Sequence, residues 1–253
     1  MINILLNGAL GRMGKEVIHA VDMQSDKFRI VCGVDKEEDK TTFPIYNNID
    51  NINEKVDVII DFSIPSASFA ILEYAKKHNI PAVIATTGFS NEDIERIKEY
   101  SKTIPVFRSS NMSLDINLMA SIVKKVAEVL KNSDIEIIET HHNRKIDSPS
   151  GTAILLADAI NEVLEDKKQY NFDRMQKKEK RSRNEIGFSS IRGGNVVGEH
   201  TVAFFGESET LEITHKAYSR QVFAEGALKA AEFIVGKESG LYDMGNIVWM
   251  IWS

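Results

Sequence analysis

Fifteen residues from Glu139 to Ala153, ETHHNRKIDSPSGTA, bring together two histidines, two cations and the start of a helix. An imidazole exchanges a proton near neutral pH, so one of His141 and His142 is a candidate general acid. Lys145 adds a fixed positive charge. Ser148 is placed to cap a helix and Pro149 to occupy its first turn, which leaves the N–H groups of Gly151 and Thr152 to hold an anion such as a carboxylate. Neighbouring strand residues point to opposite faces, so only one histidine should face the site while the other packs or hydrogen bonds. A lone histidine would read as structural, but the adjoining lysine and Ser-Gly-Thr turn favour chemistry. Zinc is set aside, because no further Cys, His or Glu stands at ligand spacing.

A second constellation opens the chain. Gly8-x-x-Gly11-Arg12-Met13-Gly14 follows the apolar run Ile2 to Leu6 and precedes Val17, Ile18 and Val21 at helical spacing. In a strand, glycine turn and helix of this kind, backbone N–H groups and the helix dipole hold a pyrophosphate. Position carries the inference more than pattern, since Leu10 stands where the dinucleotide fingerprint places glycine. A second strand ends at Val34-Asp35-Lys36, 21 residues beyond Gly14. Asp35 suits the adenosine ribose hydroxyls and Lys36 a 2′-phosphate, so the pair fits either NADH or NADPH.

The elements that must position these groups fall into two regions. Apolar strand candidates at Phe28 to Val34, Val56 to Phe62, Ile80 to Ala85 and Ile104 to Phe107 alternate with helical stretches at Ser66 to His78 and Asn91 to Lys102. That alternation predicts a parallel sheet covered on both faces. After Asn111 a long amphipathic helix runs through Leu114, Leu118, Met119, Ile122, Val126, Val129 and Leu130. Strands are then expected at Asp134 to His142, Glu185 to Arg192, Val196 to Phe205 and Thr210 to Ala217. A helix is expected at Pro149 to Leu164, giving a helix-backed, antiparallel or mixed sheet. The segment between Glu165 and Asn184, with eight Lys and Arg residues, reads as a solvated loop. Phe223 to Val235 returns to helical spacing.

With 253 residues, 43% hydrophobic, the chain can bury a sizeable core. A net charge of −6 argues against a general phosphate-backbone binder, so nucleic acid is not an expected partner. Cys32 is the single cysteine, which precludes an internal disulfide and fits a reducing cytoplasm. No basic n-region precedes the first apolar run, and no stretch is long enough to span a membrane. The expectation is a soluble, unprocessed cytoplasmic protein.

GALGRMG, DFSIPSA (61–67), ATTGF (85–89), SSNMSLDIN (109–117), ETHHNRKIDSPSGTA (139–153), IRGGNVVGEHTV (191–202) and EITHKAYSRQVFAEGAL (212–228) together resemble the 4-hydroxy-tetrahydrodipicolinate reductase family. The likeness runs in order over nearly the whole chain, and the E-x-H-H-x-x-K-x-D-x-P-S-G-T-A run is its most specific part. It implies an α/β fold with an N-terminal Rossmann dinucleotide-binding domain (1–112 and 221–253). A central α+β substrate-binding and oligomerisation domain with a mixed sheet (113–220) would complete it. By resemblance Gly8, Gly11, Arg12 and Met13 line the dinucleotide and Asp35 and Lys36 meet its adenosine end. Phe62, Ser63, Ala85, Thr86, Thr87, Ser110 and Met112 would approach its ribose and nicotinamide. His142 would be the general acid and Lys145 the activating cation, with His141, Thr87, Ser150, Gly151, Thr152 and Arg220 gripping the substrate. Leu10, Ala85 and Met112 depart from the family's usual glycine, glycine and aromatic.

The implied reaction is hydride transfer from NADH or NADPH to a cyclic, imine-bearing dicarboxylate, with loss of water, in lysine and diaminopimelate biosynthesis. The apolar faces of Val196 to Phe205 and Thr210 to Ala217 suggest self-association, and the family implies a homotetramer. Another Rossmann amino-acid dehydrogenase would lack the HHxxK run, and a nucleotide sensor would have no use for a proton donor beside a carboxylate grip.

Overall fold

Nearly unbroken apolar runs in the N-terminal region become strands buried on both faces. In the computed structural model, which describes residues 1–37, 42–174 and 178–252, the first stretch comprises β1 (Ile2–Asn7), α1 (Arg12–Asp22), β2 (Phe28–Val34), β3 (Ile45–Tyr46), β4 (Val58–Asp61), α2 (Pro65–His78), β5 (Ala82–Ile84), α3 (Asn91–Ser101) and β6 (Pro105–Arg108). There follow α4 (Leu114–Val129), β7 (Asp134–His141), α5 (Gly151–Val163), β8 (Gln169–Asn171), β9 (Glu185–Arg192), β10 (Gly198–Phe205) and β11 (Thr210–Ala217). The chain closes with α6 (Gln221–Ile234), β12 (Gly240–Tyr242) and α7 (Met244–Trp252).

Two compact units result, Met1–Ser113 with Arg220–Ser253, and Leu114–Ser219. In the first, the strands lie in the order β12-β6-β5-β4-β1-β2-β3, with every pair parallel. Ile4, Leu5, Leu6, Ile59, Ile60 and Ile84 are fully buried at its centre. This is the doubly wound arrangement, whose strand ends on the carboxyl side carry ligand sites.

The second unit is a sheet ordered β11-β10-β7-β9-β8. β10 pairs antiparallel with β7 and β11, whereas β7, β8 and β9 run parallel, so the sheet is mixed. Ile135, Ile137, Val202 and Phe204 pack beneath Val123 of α4 and Leu156 and Ile160 of α5.

The structure departs from the sequence reading in the charged stretch. Gln169 to Asn171 forms the edge strand β8. Arg181 donates to Asp134 (2.8 Å), Glu136 (3.2 Å) and the carbonyls of Ile135 and Glu185. Arg181 thus ties down the end of a sheet, whereas Lys167, Lys178, Lys180 and Arg183 stay exposed as in a solvated loop; Met175 to Lys177 of that stretch lie outside the described residues.

Candidate active site

In the first unit the glycine turn makes the site by what it lacks. Gly8 has φ +80°, and a Cβ there would stand 2.6 Å from the Phe62 carbonyl oxygen. A Cβ on Gly14 would meet the Gly8 carbonyl at 2.3 Å, so α1 can pack this close to β1 only through glycine. Gly11 caps α1 without a side-chain acceptor, leaving the first-turn N–H groups to a ligand. Leu10 is accommodated because its N–H donates to Asp35 Oδ2 at 2.8 Å, while Lys36 N–H donates to Oδ1 at 2.8 Å. Asp35 thus pins the turn to the end of β2. A cleft of about 630 Å³ runs along Gly8, Gly11, Asp35, Lys36, Phe62 and Ser63, a volume suited to a nucleotide. Donor-rich backbone, missing Cβ atoms and an acidic ribose partner all fit a dinucleotide.

Arg12 is exposed and Met13 half-buried at the start of α1. Thr87 and Ser110 are exposed on the loops that follow β5 and β6, whereas Ala85 and Thr86 are buried. Met112 is only 4% exposed, and its carbonyl lies against α6 so closely that a Cβ on Gly226 would come within 1.7 Å. It is a packed residue. Arg220 precedes α6 and belongs with Thr87 to the first unit, so the expected substrate residues divide between the two units.

Asp61 is a functional candidate the sequence reading passed over, although DFS marked an acidic residue closing an apolar strand. Fully buried, it accepts from Asn7 Nδ2 (2.8 Å), Ser63 Oγ (2.5 Å), Ser63 N (3.1 Å), Thr86 Oγ1 (3.0 Å) and Ser68 Oγ. The ends of β1, β4 and β5 are thereby tied together. Burial raises its carboxyl above the usual range, against the lowering effect of these donors.

In the second unit, β7 alternates so that Ile135, Ile137, Glu139 and His141 all face inward. The face that builds the core becomes, two residues further on, the site. Glu139 Oε2 lies 2.5 Å from His141 Nδ1. Arg192 clamps the same carboxylate with Nη1 to Oε2 (2.8 Å) and Nη2 to Oε1 (2.7 Å), and Ser150 N–H reaches Oε1 at 3.2 Å. Burial alone would raise the Glu139 carboxyl, but bonds from Arg192, Ser190 and His141 outweigh it and bring it to about 2. Desolvation lowers His141, Glu139 opposes that, and Lys145 and Arg192 add to it. His200 Nε2 sits 2.8 Å from Ser150 Oγ, its ring edge-on to His141, and burial pushes it down to about 3, so it is neutral.

The helix cap is corrected. Ser150, not Ser148, caps α5, accepting from Ala153 N at 3.2 Å, and Pro149 lies outside the helix. Gly151 and Thr152 are its first residues, at the positive end of its dipole. Lys145 Nζ lies 2.8 Å from both Asp147 oxygens. His142 falls beyond the end of β7, half-buried, its N–H bonded to Val196 O at 2.8 Å. Glu139, Arg192 and His200 were absent from the expected site; Glu139 was detectable as the residue two before His141, hence on its face.

Family models for "Dihydrodipicolinate reductase, N-terminus" and "C-terminus" match residues 2–112 and 115–248. The chain is 48% identical to the 4-hydroxy-tetrahydrodipicolinate reductase of Caldanaerobacter subterraneus subsp. tengcongensis, over 98% of each chain. It is 46% identical to that of Clostridium novyi, again over 98% of each. Among solved structures, dipicolinate-bound dihydrodipicolinate reductase from Paenisporosarcina sp. TG-14 is similar, with TM-score 0.82 and 26% identity over 98% of this chain and 99% of that one. A myo-inositol dehydrogenase from Corynebacterium glutamicum, at 14% identity and TM-score 0.60 over 95% of this chain and 90% of that one, shares the fold. A glycine turn built for a dinucleotide, a carboxylate-held histidine beside a helix N-terminus and matches over almost the full length agree, and the chain belongs to the dihydrodipicolinate reductase family of nicotinamide-dependent oxidoreductases.

Proposed function

We propose that the chain reduces 4-hydroxy-tetrahydrodipicolinate to tetrahydrodipicolinate, with loss of water, in lysine and diaminopimelate biosynthesis. The observation that carries this reading is the Glu139–His141 pair beside the start of α5 and Lys145. Such a grouping offers a proton and two anion grips, as a cyclic dicarboxylate requires. The bound dipicolinate of the Paenisporosarcina relative is a ligand of that class.

When bound, the reduced nicotinamide supplies the hydride. Gly8, Gly11 and the first turn of α1 would hold its pyrophosphate, and Asp35 its ribose, with Lys36 free to meet a 2′-phosphate, so both NADH and NADPH are accepted. Lys145 and the Gly151 and Thr152 N–H groups hold carboxylate. Proton donation falls to His141 Nε2: the ionised Glu139 can only accept, so Nδ1 carries a proton and Nε2 is the exchanging atom. His142, the donor implied by resemblance, then contacts substrate. A dianion bound beside His141 opposes the lowering of its pKa and favours its charged form.

We further propose a cytoplasmic homotetramer. Ile191, Phe205 and Leu211 leave apolar surface on the second unit's sheet, 51, 40 and 43% exposed. No helix among the described residues is long and apolar enough to cross a membrane. Purified protein coupled to the preceding aldol-condensation enzyme should oxidise NADH and NADPH; absence of oxidation with both would refute the reading. Light scattering at micromolar concentration should give a multiple of 28.4 kDa.

A further inference from the structure

The hydrogen bonds of Glu139 reach in two directions that the reaction has to coordinate. One oxygen, Oε2, faces the proton-carrying ring of His141, and the other, Oε1, accepts the N–H of Ser150, the cap of the helix whose first residues grip carboxylate. Arg192 spans both oxygens and also donates to the Asp147 carbonyl at 2.7 Å, reaching the loop that carries Lys145. The carboxylate is 1% exposed. An ion pair this buried is a poor source of net stability, because desolvating both charges offsets most of their attraction. Its geometry is therefore better explained by what it orients.

We propose that Glu139 is a positioning residue that fixes His141 as the Nδ1–H tautomer, with Nε2 as the exchanging nitrogen, and locks that ring to the helix N-terminus holding the substrate carboxylate. The proposal rests on the reading of His141 as proton donor. Two further observations support it. First, a Cβ on Gly198, the start of β10, would stand 3.1 Å from His141 Nε2 and 3.5 Å from its Cδ2, so glycine leaves room on the Nε2 side of the ring. Second, among the described residues the groups facing His141 from neighbouring elements leave Glu139 as its one anionic partner: Arg192 on β9 and Lys145 after β7 are cationic, and His200 on β10 is neutral. Without the carboxylate, either ring nitrogen could carry the neutral form's proton, and the single tautomer would be lost.

The test uses the full-length protein, ¹⁵N-labelled, with the ring signals of His141 among the six histidines identified by their loss in His141→Gln. Above the imidazole pKa, the wild type should show Nδ1 protonated and Nε2 bare. A bare Nδ1 would overturn the proposal, whatever any variant does. Glu139→Gln should then lose the single tautomer and shift the alkaline limb of kcat/KM to lower pH, since removing the anion lowers His141. It should also cut kcat by about 10²-fold or more, as loss of an orienting carboxylate does in a Ser-His-Asp triad. An unmoved pH limb with a merely lowered rate would reduce Glu139 to a packing role. Should Glu139→Gln fail to fold, Glu139→Asp, which keeps the charge but withdraws it, should weaken the tautomer preference; an unchanged preference would count against the proposal. Failure of the functional reading is separate: a wild type with the expected tautomer but no reductase activity would remove the reaction and leave the dyad.

Discussion

Asp61 ends β4 in the first unit and Glu139 lies near the end of β7 in the second, and the two buried carboxylates are held in opposite ways. Among the described residues Asp61 is met only by neutral donors from Asn7, Ser63, Ser68 and Thr86, and burial raises its pKa. Glu139 is met by a guanidinium and an imidazole, and its pKa falls to about 2. The first arrangement ties loop ends together so that the backbone can line a cleft. The second stores a charge beside the histidine proposed to carry the proton. Glycines and main-chain N–H groups thus line the proposed dinucleotide site, whereas ionised side chains line the proposed catalytic one.

The largest effect should come from leaving Glu139 charged without its guanidinium. Arg192→Met is expected to cost about 3–5 kcal/mol in urea unfolding, as breaking a buried pair does, with reductase activity lost in parallel. A cost below 1 kcal/mol would place Glu139 in effective contact with water. In the first unit, Gly8→Ala adds a Cβ against the Phe62 carbonyl at positive φ. It should cost about 1–3 kcal/mol and weaken NADH binding in fluorescence titration, while leaving the His141 tautomer unchanged. Loss of that tautomer would break the separation between backbone and side-chain sites.

Acid and base should act on the two carboxylates with opposite sign. Glu139, lowered in the folded state, contributes stability at neutral pH that fades as pH falls from about 4.5 towards about 2. Asp61, raised in the folded state, contributes most below its ordinary value of 3.8 and loses that contribution as pH rises through its folded pKa. The stability gap between wild type and Glu139→Gln should therefore shrink in acid, and that between wild type and Asp61→Asn should shrink towards neutrality. Parallel gaps would contradict the contrast. The smallest effect is expected at the exposed Lys36: Lys36→Ala should raise KM for NADPH by up to about tenfold and leave that for NADH nearly unchanged. Equal changes would remove the 2′-phosphate contact.

The contrast also explains what could be read from the chain. Continuous apolar runs and the Gly8 to Gly14 spacing announce the parallel sheet and its turn because local sequence dictates both. Two- and three-residue strands such as β3, β8 and β12 carry no periodicity, and α7, apolar apart from Gly245 and Asn246, shows no broad polar face to mark it as a helix. At the site, His141, Lys145 and the Ser-Gly-Thr turn were legible as one run. Arg192 and His200 were not, since β9 and β10 bring them to Glu139 from more than fifty residues away. Parity along β7 indicated that one histidine faces inward, and the buried face of Ile135, Ile137, Glu139 and His141 shows which.

The most direct test of the account compares His141→Gln with His142→Gln in steady-state kinetics. His141→Gln should lose about 10²- to 10⁴-fold in kcat with KM little changed, the range for a missing general acid. His142→Gln should mainly raise KM. A His142 variant that loses kcat while His141→Gln keeps it would contradict the assignment and move the proton to the histidine beyond the strand end.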